Sequence, residues 1–485
     1  MFTTVMALGW CTPVRVTLVT LTTLAVLGVR PVAANDLLRL YVLAQAQDTA
    51  LQSARFQRDA AVEARPQALS QWLPQLQGTA AAERERLGEQ TGLTISPSGG
   101  PTPTGLRVRP GCALATNDLT ERCNVDYQTY GLTLSQTLWS FSAFSQLKEA
   151  DSLAASAEAA YRSAQQQLVL RVAQAYFGVL QANDQLTITR NERAAFGMQL
   201  KQTQGREQTG LGSRSDVEQA QSYYDLTAQS VIQAGNALDD ARLALAEIVG
   251  QPPGSVAPLR DEIPLTAPSP ASVGAWVASA RQDNPDVRAA QLHAEAARRD
   301  IGVQRGRGLP TISLQGTAGH TVAPLVLGGT NSIDTIGVYF RWPLFAGGAI
   351  ASAVRQSRAL YHQSQADVQT VQRQTEQRTR AAYRNVVSGI QSITAARRAI
   401  HSASDAVQAA RRDIEFNVSP EFVLLQYQQA YYEALVLYEQ ARYAYLSNVL
   451  VLKQQAGRLS GHDLAMIDAL LVTGAPATTD GSGHE

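Results

Sequence analysis

The side chains able to carry out chemistry are few in this sequence and do not group into a catalytic motif. The six histidines are scattered, and no His-Glu-x-x-His arrangement occurs. No cysteine cluster suitable for zinc is present. The segment Gly210-Leu211-Gly212 resembles part of a glycine loop, but no strand precedes it, so we interpret it as a turn. We therefore expect no enzyme activity, no catalytic residue, no metal site and no cofactor.

Two cysteines have a spacing and surroundings that suit a disulfide. Cys11 lies in an N-terminal segment that we expect to be removed, which leaves Cys112 and Cys123 in a stretch rich in Gly, Pro, Asn and Thr. In an oxidising compartment this pattern favours a local disulfide between them, with two free thiols as the alternative.

Polar residues also mark the starts of two predicted helices. Ser213 is followed three residues later by Asp216, the spacing of a capping box, and an aspartate there also favours the helix dipole. Ser419 before Pro420 predicts a second helix start, with the serine as cap and the proline at the first helical position. These residues thus have a structural explanation before any functional one.

Charge and composition limit the class of protein. The 41 basic and 41 acidic residues cancel, which argues against a nucleic-acid-binding surface. Apolar residues make up 45% of the chain, many of them alanine, and only 6% are aromatic, which is typical of long packed helices. After residue 34, no run of about 18 apolar residues predicts a transmembrane helix.

The N-terminal segment predicts export from the cytoplasm. Arg15 precedes an apolar run from Val16 to Val29, and Val32-Ala33-Ala34 offers a cleavage site. We interpret residues 1–34 as a signal peptide cleaved before Asn35, with a buried helix as the alternative.

The rest of the chain is predicted to contain one internal duplication. Leu73-Pro74 is echoed by Leu309-Pro310, Ala175-Tyr176-Phe177 by Ala382-Tyr383-Arg384, and Tyr223-Tyr224-Asp225 by Tyr431-Tyr432-Glu433. Each half is expected to run helix, Leu-Pro, strand, loop, strand, long helix, turn, helix. The predicted units are a first repeat (35–250), a Pro-rich connector (251–270), a second repeat (271–460) and a C-terminal segment with a disordered tail (461–485).

The predicted strands alternate between apolar and polar residues. Tyr130, Leu132, Leu134 and Leu138 share one face of the second strand, and Ile336, Val338, Phe340, Trp342 and Leu344 share one face of the fourth. Against lipid the apolar face points outward and the polar face lines a lumen; an ordinary soluble sheet is the alternative. Trp139, Phe141, Trp342 and Phe345 cluster at strand ends, as interfacial aromatics do. Four strands cannot close a barrel, so within lipid an oligomer is required.

Long helices are predicted from two proline-free stretches. They span about residues 146–208 and 349–416, and each corresponds to roughly 95–100 Å of helix. In the first, Leu168, Val172, Ala175, Val179, Ala182 and Leu186 form a heptad-type stripe. Residues 213–249 and 420–456 are the expected antiparallel partners.

Taken in order, several phrases resemble the TolC family of outer-membrane export channels. They are Leu73–Leu76, Leu132–Trp139, Ala173–Leu186, Asn284-Pro285, Leu309-Pro310, Trp342–Gly348 and Ala441–Tyr445. The resemblance implies an α+β membrane protein of the Gram-negative outer membrane. It also implies a homotrimer with a twelve-stranded transmembrane β-barrel, four strands per chain, continued into the periplasm by a long antiparallel coiled-coil α-helical barrel.

The resemblance further implies partners for the chain and roles for its inner tip, which is the periplasmic end of the helical barrel where the two helix turns lie. The chain is expected to be the exit duct of a tripartite system that contains a periplasmic adaptor and an inner-membrane ABC or proton-driven transporter. Type I secretion and multidrug efflux both stay open, and the lack of a lipid-bearing cysteine favours the former. The candidate adaptor-docking residues are Thr209, Gly210, Leu211, Asn417 and Val418, and the candidate gate residues are Asp216, Ser213, Ser419 and Gln426. The tyrosine and arginine that latch some relatives have no evident counterpart at the second turn.

Two other classes of protein share some of these features. A periplasmic coiled-coil adaptor accounts for secretion and long helices, but no lipoyl-like domain is recognisable. A structural or adhesin-like coiled-coil fibre does not account for helix pairs duplicated around strand hairpins.

Overall fold

The computed structural model describes residues 37–87, 123–323, 329–416 and 419–472. The predicted signal peptide, Cys112 and most of the predicted tail lie outside these ranges. The helices are α1 (Leu37–Gln47), α2 (Thr49–Val62), α3 (Ala64–Ser70), α4 (Phe141–Gln208), α5 (Arg214–Val249), α6 (Val273–Asp283), α7 (Pro285–Gly306), α8 (Ala349–Glu415), α9 (Glu421–Gln455) and α10 (Gly461–Asp468). The strands are β1 (Gln75–Leu87), β2 (Cys123–Ser140), β3 (Thr311–Ala323) and β4 (Gly329–Arg341).

The two long helices form where the sequence predicts them. α4 has 68 residues and α8 has 67, which corresponds to about 100 Å each. Ser140 ends β2 and caps α4, because its hydroxyl accepts a hydrogen bond of 3.2 Å from the Ala143 N–H. The predicted stripe on α4 is buried at Leu168, Val172, Val179 and Leu186, whereas Ala175 and Ala182 lie half-buried at its margin. Tyr176 and Phe177 widen this face into the main core.

The long helices pair with their predicted antiparallel partners. α4 packs against α5, and α8 packs against α9. The two pairs are joined by contact between α4 and α9, so the order across the helical layer is α5, α4, α9, α8. In the part of the layer nearer the turns, α5 and α8 therefore form the two edges, while nearer the sheet α7 packs against both α4 and α8.

The four strands form one antiparallel sheet in sequence order. β1 pairs with β2, β2 with β3, and β3 with β4, so β1 and β4 are the outer strands. Each hairpin follows a Leu-Pro phrase and leads into a long helix, a turn and a second helix.

The phrase Ala441–Tyr445 fixes the connector against the helices. The Arg442 guanidinium donates to the carbonyl of Arg260 and, at 2.6 Å, to Glu439. The Tyr445 hydroxyl accepts from the Thr266 N–H at 2.9 Å. Because Arg442 is buried, these bonds compensate the loss of its hydration.

In the described ranges, no helix combines the length and hydropathy required to cross a membrane.

Candidate functional site

One face of the sheet carries a row of short polar side chains. Gln77, Thr133, Thr317 and Thr335 stand opposite one another across the four strands. Residues paired directly across antiparallel strands share a face, so these four lie on the same side. The Thr317 and Thr335 hydroxyls are 2.5 Å apart. Such a row offers hydrogen-bonding groups to water along this face of the sheet.

The opposite face of the sheet is largely apolar, and its β4 residues are exposed. Its rows are Leu76, Leu134, Gly316 and Ile336; Gln136, Leu314 and Val338; and Ile312 and Phe340. Ile336 keeps 76% of its surface exposed and Val338 keeps 65%. A contiguous apolar surface of this kind is unfavourable in water and suits contact with lipid or another chain. The predicted alternation is confirmed in these rows, whereas Asp334 stands in the row of Leu132 on the same face.

The four predicted interfacial aromatics lie together at the strand ends that lead into the long helices. Trp139 and Phe141 flank the junction of β2 and α4, and Trp342 and Phe345 follow β4. All four are exposed, and Phe345 has 89% of its surface accessible. Aromatic rings are favoured at a membrane boundary because one end is apolar and the edges accept a wet environment.

The prediction for Leu138 was wrong in detail. The register of β2 against β3 shifts between Thr137 and Trp139, so Trp139 lies opposite Ile312. A β-bulge of this kind inserts one extra residue into a strand and changes which side chain meets the partner strand. Trp139 therefore takes the place on the apolar face that strict alternation assigned to Leu138.

The first helical turn, between α4 and α5, is held by bonds within the turn itself. Gly210 adopts a left-handed conformation with φ of +76°, and the N–H groups of Leu211 and Gly212 donate to the Arg206 carbonyl at 2.8 and 3.0 Å. The Leu211 side chain is 72% exposed. Thr209 donates its hydroxyl to the same Arg206 carbonyl at 3.0 Å. The predicted docking residues of this turn thus present one apolar side chain on a stiff backbone.

The predicted capping box at the start of α5 is confirmed. The Asp216 N–H donates to the Ser213 hydroxyl at 3.1 Å, and the Ser213 N–H donates to the Asp216 carboxylate at 3.2 Å. The Ser213 hydroxyl also lies 2.7 Å from that carboxylate. Asp216 is half-buried, and its charge lies next to the positive end of the α5 dipole.

The second turn, between α8 and α9, differs from its prediction. Pro420 is the capping residue of α9 and Glu421 is the first helical residue, so Ser419 lies one position too early to cap. No side chain provides a cap there, and the Val423 N–H bonds to the Pro420 carbonyl at 3.2 Å instead. Asn417 and Val418 fall outside the described residues. Gln426 is exposed on α9, and Phe416, which ends α8, is 77% exposed.

Sequence reasoning missed a buried carboxylate that joins the two helix pairs at this end. Glu421 is only 7% exposed, and it accepts a hydrogen bond from the Thr203 hydroxyl of α4. The Arg206 Nε atom lies 3.3 Å from the Glu421 Oε1 atom. This contact also places the two turns at the same end of the molecule. No local signal predicts it, because an acidic residue in a first helical turn is ordinary and its partners lie more than two hundred residues earlier.

A second carboxylate lies further along the junction of α4 and α9. Burial, together with the nearby Glu433, raises the pKa of Glu192 to about 7. Next to it the Tyr432 hydroxyl donates to the Asn191 carbonyl at 3.2 Å. Near neutral pH this part of the junction therefore titrates.

Two further expectations from the sequence concern a metal site and a disulfide. In the described part of the chain, no three His, Cys, Asp or Glu side chains lie close enough to hold a metal ion. The Cys112–Cys123 disulfide stays a prediction, since Cys112 lies outside the described residues.

Comparison with known proteins gives consistent results. The model of the outer membrane efflux protein family matches residues 40–251 and 276–458. The chain is 30% identical to outer membrane protein TolC of Vibrio cholerae over 449 residues, which cover 90% of this chain and 94% of that protein. It is 30% identical to the alkaline protease secretion protein AprF of Pseudomonas aeruginosa, over 72% of this chain and 74% of that one. Its fold is similar to that of the outer-membrane channel OprN, with a TM-score of 0.71 at 20% identity, over 87% and 89% of the two chains.

Proposed function

Because this chain belongs to the outer membrane efflux protein family, we propose that it forms the exit duct of an export system in the Gram-negative outer membrane. The relatives are named as outer-membrane, efflux and secretion proteins. Membership of this family favours a channel over an enzyme, an adaptor or a fibre. The observation that carries the mechanism is a single sheet with one polar and one apolar face, continued directly into helices of about 100 Å.

The sheet supports closure of a barrel by several copies. β1 and β4 are its outer strands, and within lipid their free N–H and C=O groups must be paired. Pairing β1 of one copy with β4 of the next is a head-to-tail contact, which closes into a ring. Three copies give the twelve strands proposed here, with the threonine row inside and the apolar rows against lipid. We assign Trp139, Phe141, Trp342 and Phe345 to the periplasmic boundary of the membrane.

The helical layer supports a periplasmic extension of the same ring. Its edges are α5 and α8, so copies placed side by side continue the layer into a barrel of antiparallel helices. The same element order in both halves of the chain is consistent with the proposed twofold repeat.

The turns at the far end are proposed as the gate and the adaptor-docking site. Leu211 and Phe416 each expose an apolar side chain there, and a periplasmic adaptor is the proposed partner that covers them. Asp216, near the start of α5, is proposed to place a ring of carboxylates at the tip when three copies assemble. The transported substrate reaches this end from an inner-membrane transporter, which supplies the energy. Similarity to a protease secretion protein favours type I secretion among the proposed systems.

Single-channel conductance in a planar bilayer tests this proposal. We expect small, cation-preferring currents from the trimer, and larger currents with weaker cation preference from Asp216→Ala. Ser213→Ala is the matched control, because it removes the cap hydroxyl and leaves the carboxylate. Equal currents from all three proteins would reduce Asp216 to a helix cap. No current from a folded, bilayer-inserted trimer would overturn the duct itself.

A further inference from the structure

The two helices at the edges of the helical layer carry opposite charge. α5 contains two arginines and six acidic residues, whereas α8 contains ten arginines and five acidic residues. The net charges are therefore −4 and +5. The imbalance is a property of these two edges, since the chain as a whole is neutral.

The acidic residues of α5 are concentrated on the face that points away from α4. Glu218, Asp225 and Asp239 are exposed and, with Ile232, follow a seven-residue spacing. The face of α5 that packs against α4 is marked instead by Ala220, Thr227, Ala234, Leu238 and Leu245, which are buried. At 3.5 residues per turn the acidic set lies about 150° around the helix from Ala220, Thr227 and Ala234, and about 100° from Leu238 and Leu245.

The arginines of α8 show the same separation. Arg384, Arg398 and Arg412 are spaced by two heptads and are exposed. The side that faces α9 carries Ala382, Val386 and Ile393, which are buried. Among the described residues, none provides an ion-pair partner for these three guanidinium groups.

Helix dipoles do not account for this arrangement. A dipole favours acids only in the first turn of a helix and bases only in the last turn. Asp225, Asp239, Arg384 and Arg398 lie in helix interiors, several turns from either end. Arg214 and Arg242 lie 3.6 Å from Glu218 and Asp239, so the acidic stripe is partly balanced within α5, whereas among the described residues the arginine stripe of α8 is not. The net charge that remains on each edge suits a surface of opposite charge.

Contacts across the layer show which parts of α5 and α8 lie at the same height. α5 meets α4 where Tyr223 packs against Phe196, and α4 meets α9 at the Arg206–Glu421 pair. α9 in turn meets α8 where Arg397 lies over the Tyr438 ring. Following this sequence of contacts places Glu218 level with Arg412, to within about one helical turn.

The C-terminal end of α5 also lies level with arginines of α8. By the same contacts Glu247 lies level with the α8 segment that contains Arg380 and Arg384, again to within about one helical turn. Copies related by rotation about an axis along the helices keep these heights. In the proposed assembly both ends of α5 therefore stand level with arginines of a neighbouring copy, of which Arg380 also pairs with Glu376 at 2.6 Å in its own helix.

We infer that the acidic face of α5 in one copy packs against the arginine stripe of α8 in the next, with Glu218 facing Arg412. We call this contact between α5 of one copy and α8 of the next the seam. It rests on the assembly proposed above and specifies how the helices of neighbouring copies meet. The two edges are different surfaces, so the contact is head-to-tail and closes into a ring. Because like edges repel, complementary charge also disfavours pairing of α5 with α5 or α8 with α8.

Disulfide cross-linking tests the register of the seam. In a chain with Cys112→Ser and Cys123→Ser, we would introduce Glu218→Cys with Arg412→Cys and oxidise mildly. A disulfide forms only when the two Cα atoms come within about 7 Å, so it reports direct neighbours. We expect covalent dimers and trimers on a denaturing, non-reducing gel, at least tenfold more than from Glu218→Cys with Arg398→Cys. In that matched control the second cysteine is on the same face but about 21 Å away along α8.

The outcomes separate failure of the seam from failure of the assembly. Retained circular dichroism and retained conductance after reduction establish that both variants fold. If the control links as fast as the test pair, or if neither links while the unheated protein migrates as a trimer, the seam is overturned and the duct stands. A folded protein that is monomeric in detergent would overturn the seam and the proposed assembly together.

Discussion

The two helical turns at the tip are held by different kinds of contact. The first is held by bonds among neighbours in the chain, namely the Gly210 conformation and the Ser213–Asp216 box. The second has no side-chain cap, and its helix is held from outside by Thr203 and Arg206 acting on Glu421. A local turn keeps its shape when its surroundings move, whereas a turn fixed by tertiary contacts changes with them. The second helix pair is thus the one whose position depends on α4.

Removing the buried Glu421 carboxylate is expected to have the strongest effect on the difference in stability between the two turns. In Glu421→Ala the Arg206 charge and the Thr203 hydroxyl lose Glu421 as a partner, at a cost of up to about 3–5 kcal/mol in local stability. We expect faster hydrogen exchange in the first turns of α9, with α5 unchanged. Gln426→Ala, an exposed change one and a half turns later, is the control. Equal protection in Glu421→Ala and the natural protein would show that the second turn does not depend on α4.

An apolar replacement makes the same test more specific. Glu421→Leu combined with Arg206→Met removes both charges, and such replacements are often neutral in stability. We expect the double variant to recover most of the α9 protection that Glu421→Ala loses.

The two serines at the helix starts provide a matched pair. Ser213→Ala removes a cap hydroxyl and should destabilise the first turn of α5 by about 0.5–2 kcal/mol. Ser419→Ala should have almost no effect, because this serine does not cap α9. Hydrogen exchange at each helix start measures both changes. A loss of α9 protection in Ser419→Ala comparable with that in Ser213→Ala would contradict the difference between the turns.

The smallest expected effect is a pH dependence of the junction above the turns. Burial and Glu433 raise the pKa of Glu192 to about 7 from a usual value near 4.5. A carboxyl whose pKa is higher in the folded than in the unfolded state contributes stability that is full at acid pH and is lost as pH rises through about 7. We therefore expect the α4–α9 junction near Asn191 to exchange more slowly at pH 5.5 than at pH 8, after correction for intrinsic rates. In Glu192→Gln this difference should disappear, and its persistence would assign the effect to another group.

The parts of the fold that could be predicted from sequence are those fixed by local patterns. The α4 stripe, the alternation in β4 and the Ser213–Asp216 box each follow from spacing within a few residues, and each is present. Leu138 was misplaced because a bulge inserts a residue without changing the alternation on either side. Ser419 was misassigned because proline can occupy the cap as well as the first helical turn. Glu421 could not be identified at all, since its burial depends on the packing of two distant helices.

The continuity of α4 has a mechanical consequence. This helix starts at the end of a strand and ends at the tip, and its 68 residues contain no proline to bend it. The sheet and the tip are therefore connected by one continuous helix about 100 Å long. A tilt of only about 2° at the sheet end moves the far end by about 3.5 Å, comparable with the separation of packed side chains. A strain too small to disturb strand pairing can thus move the turns at the opposite end of the molecule.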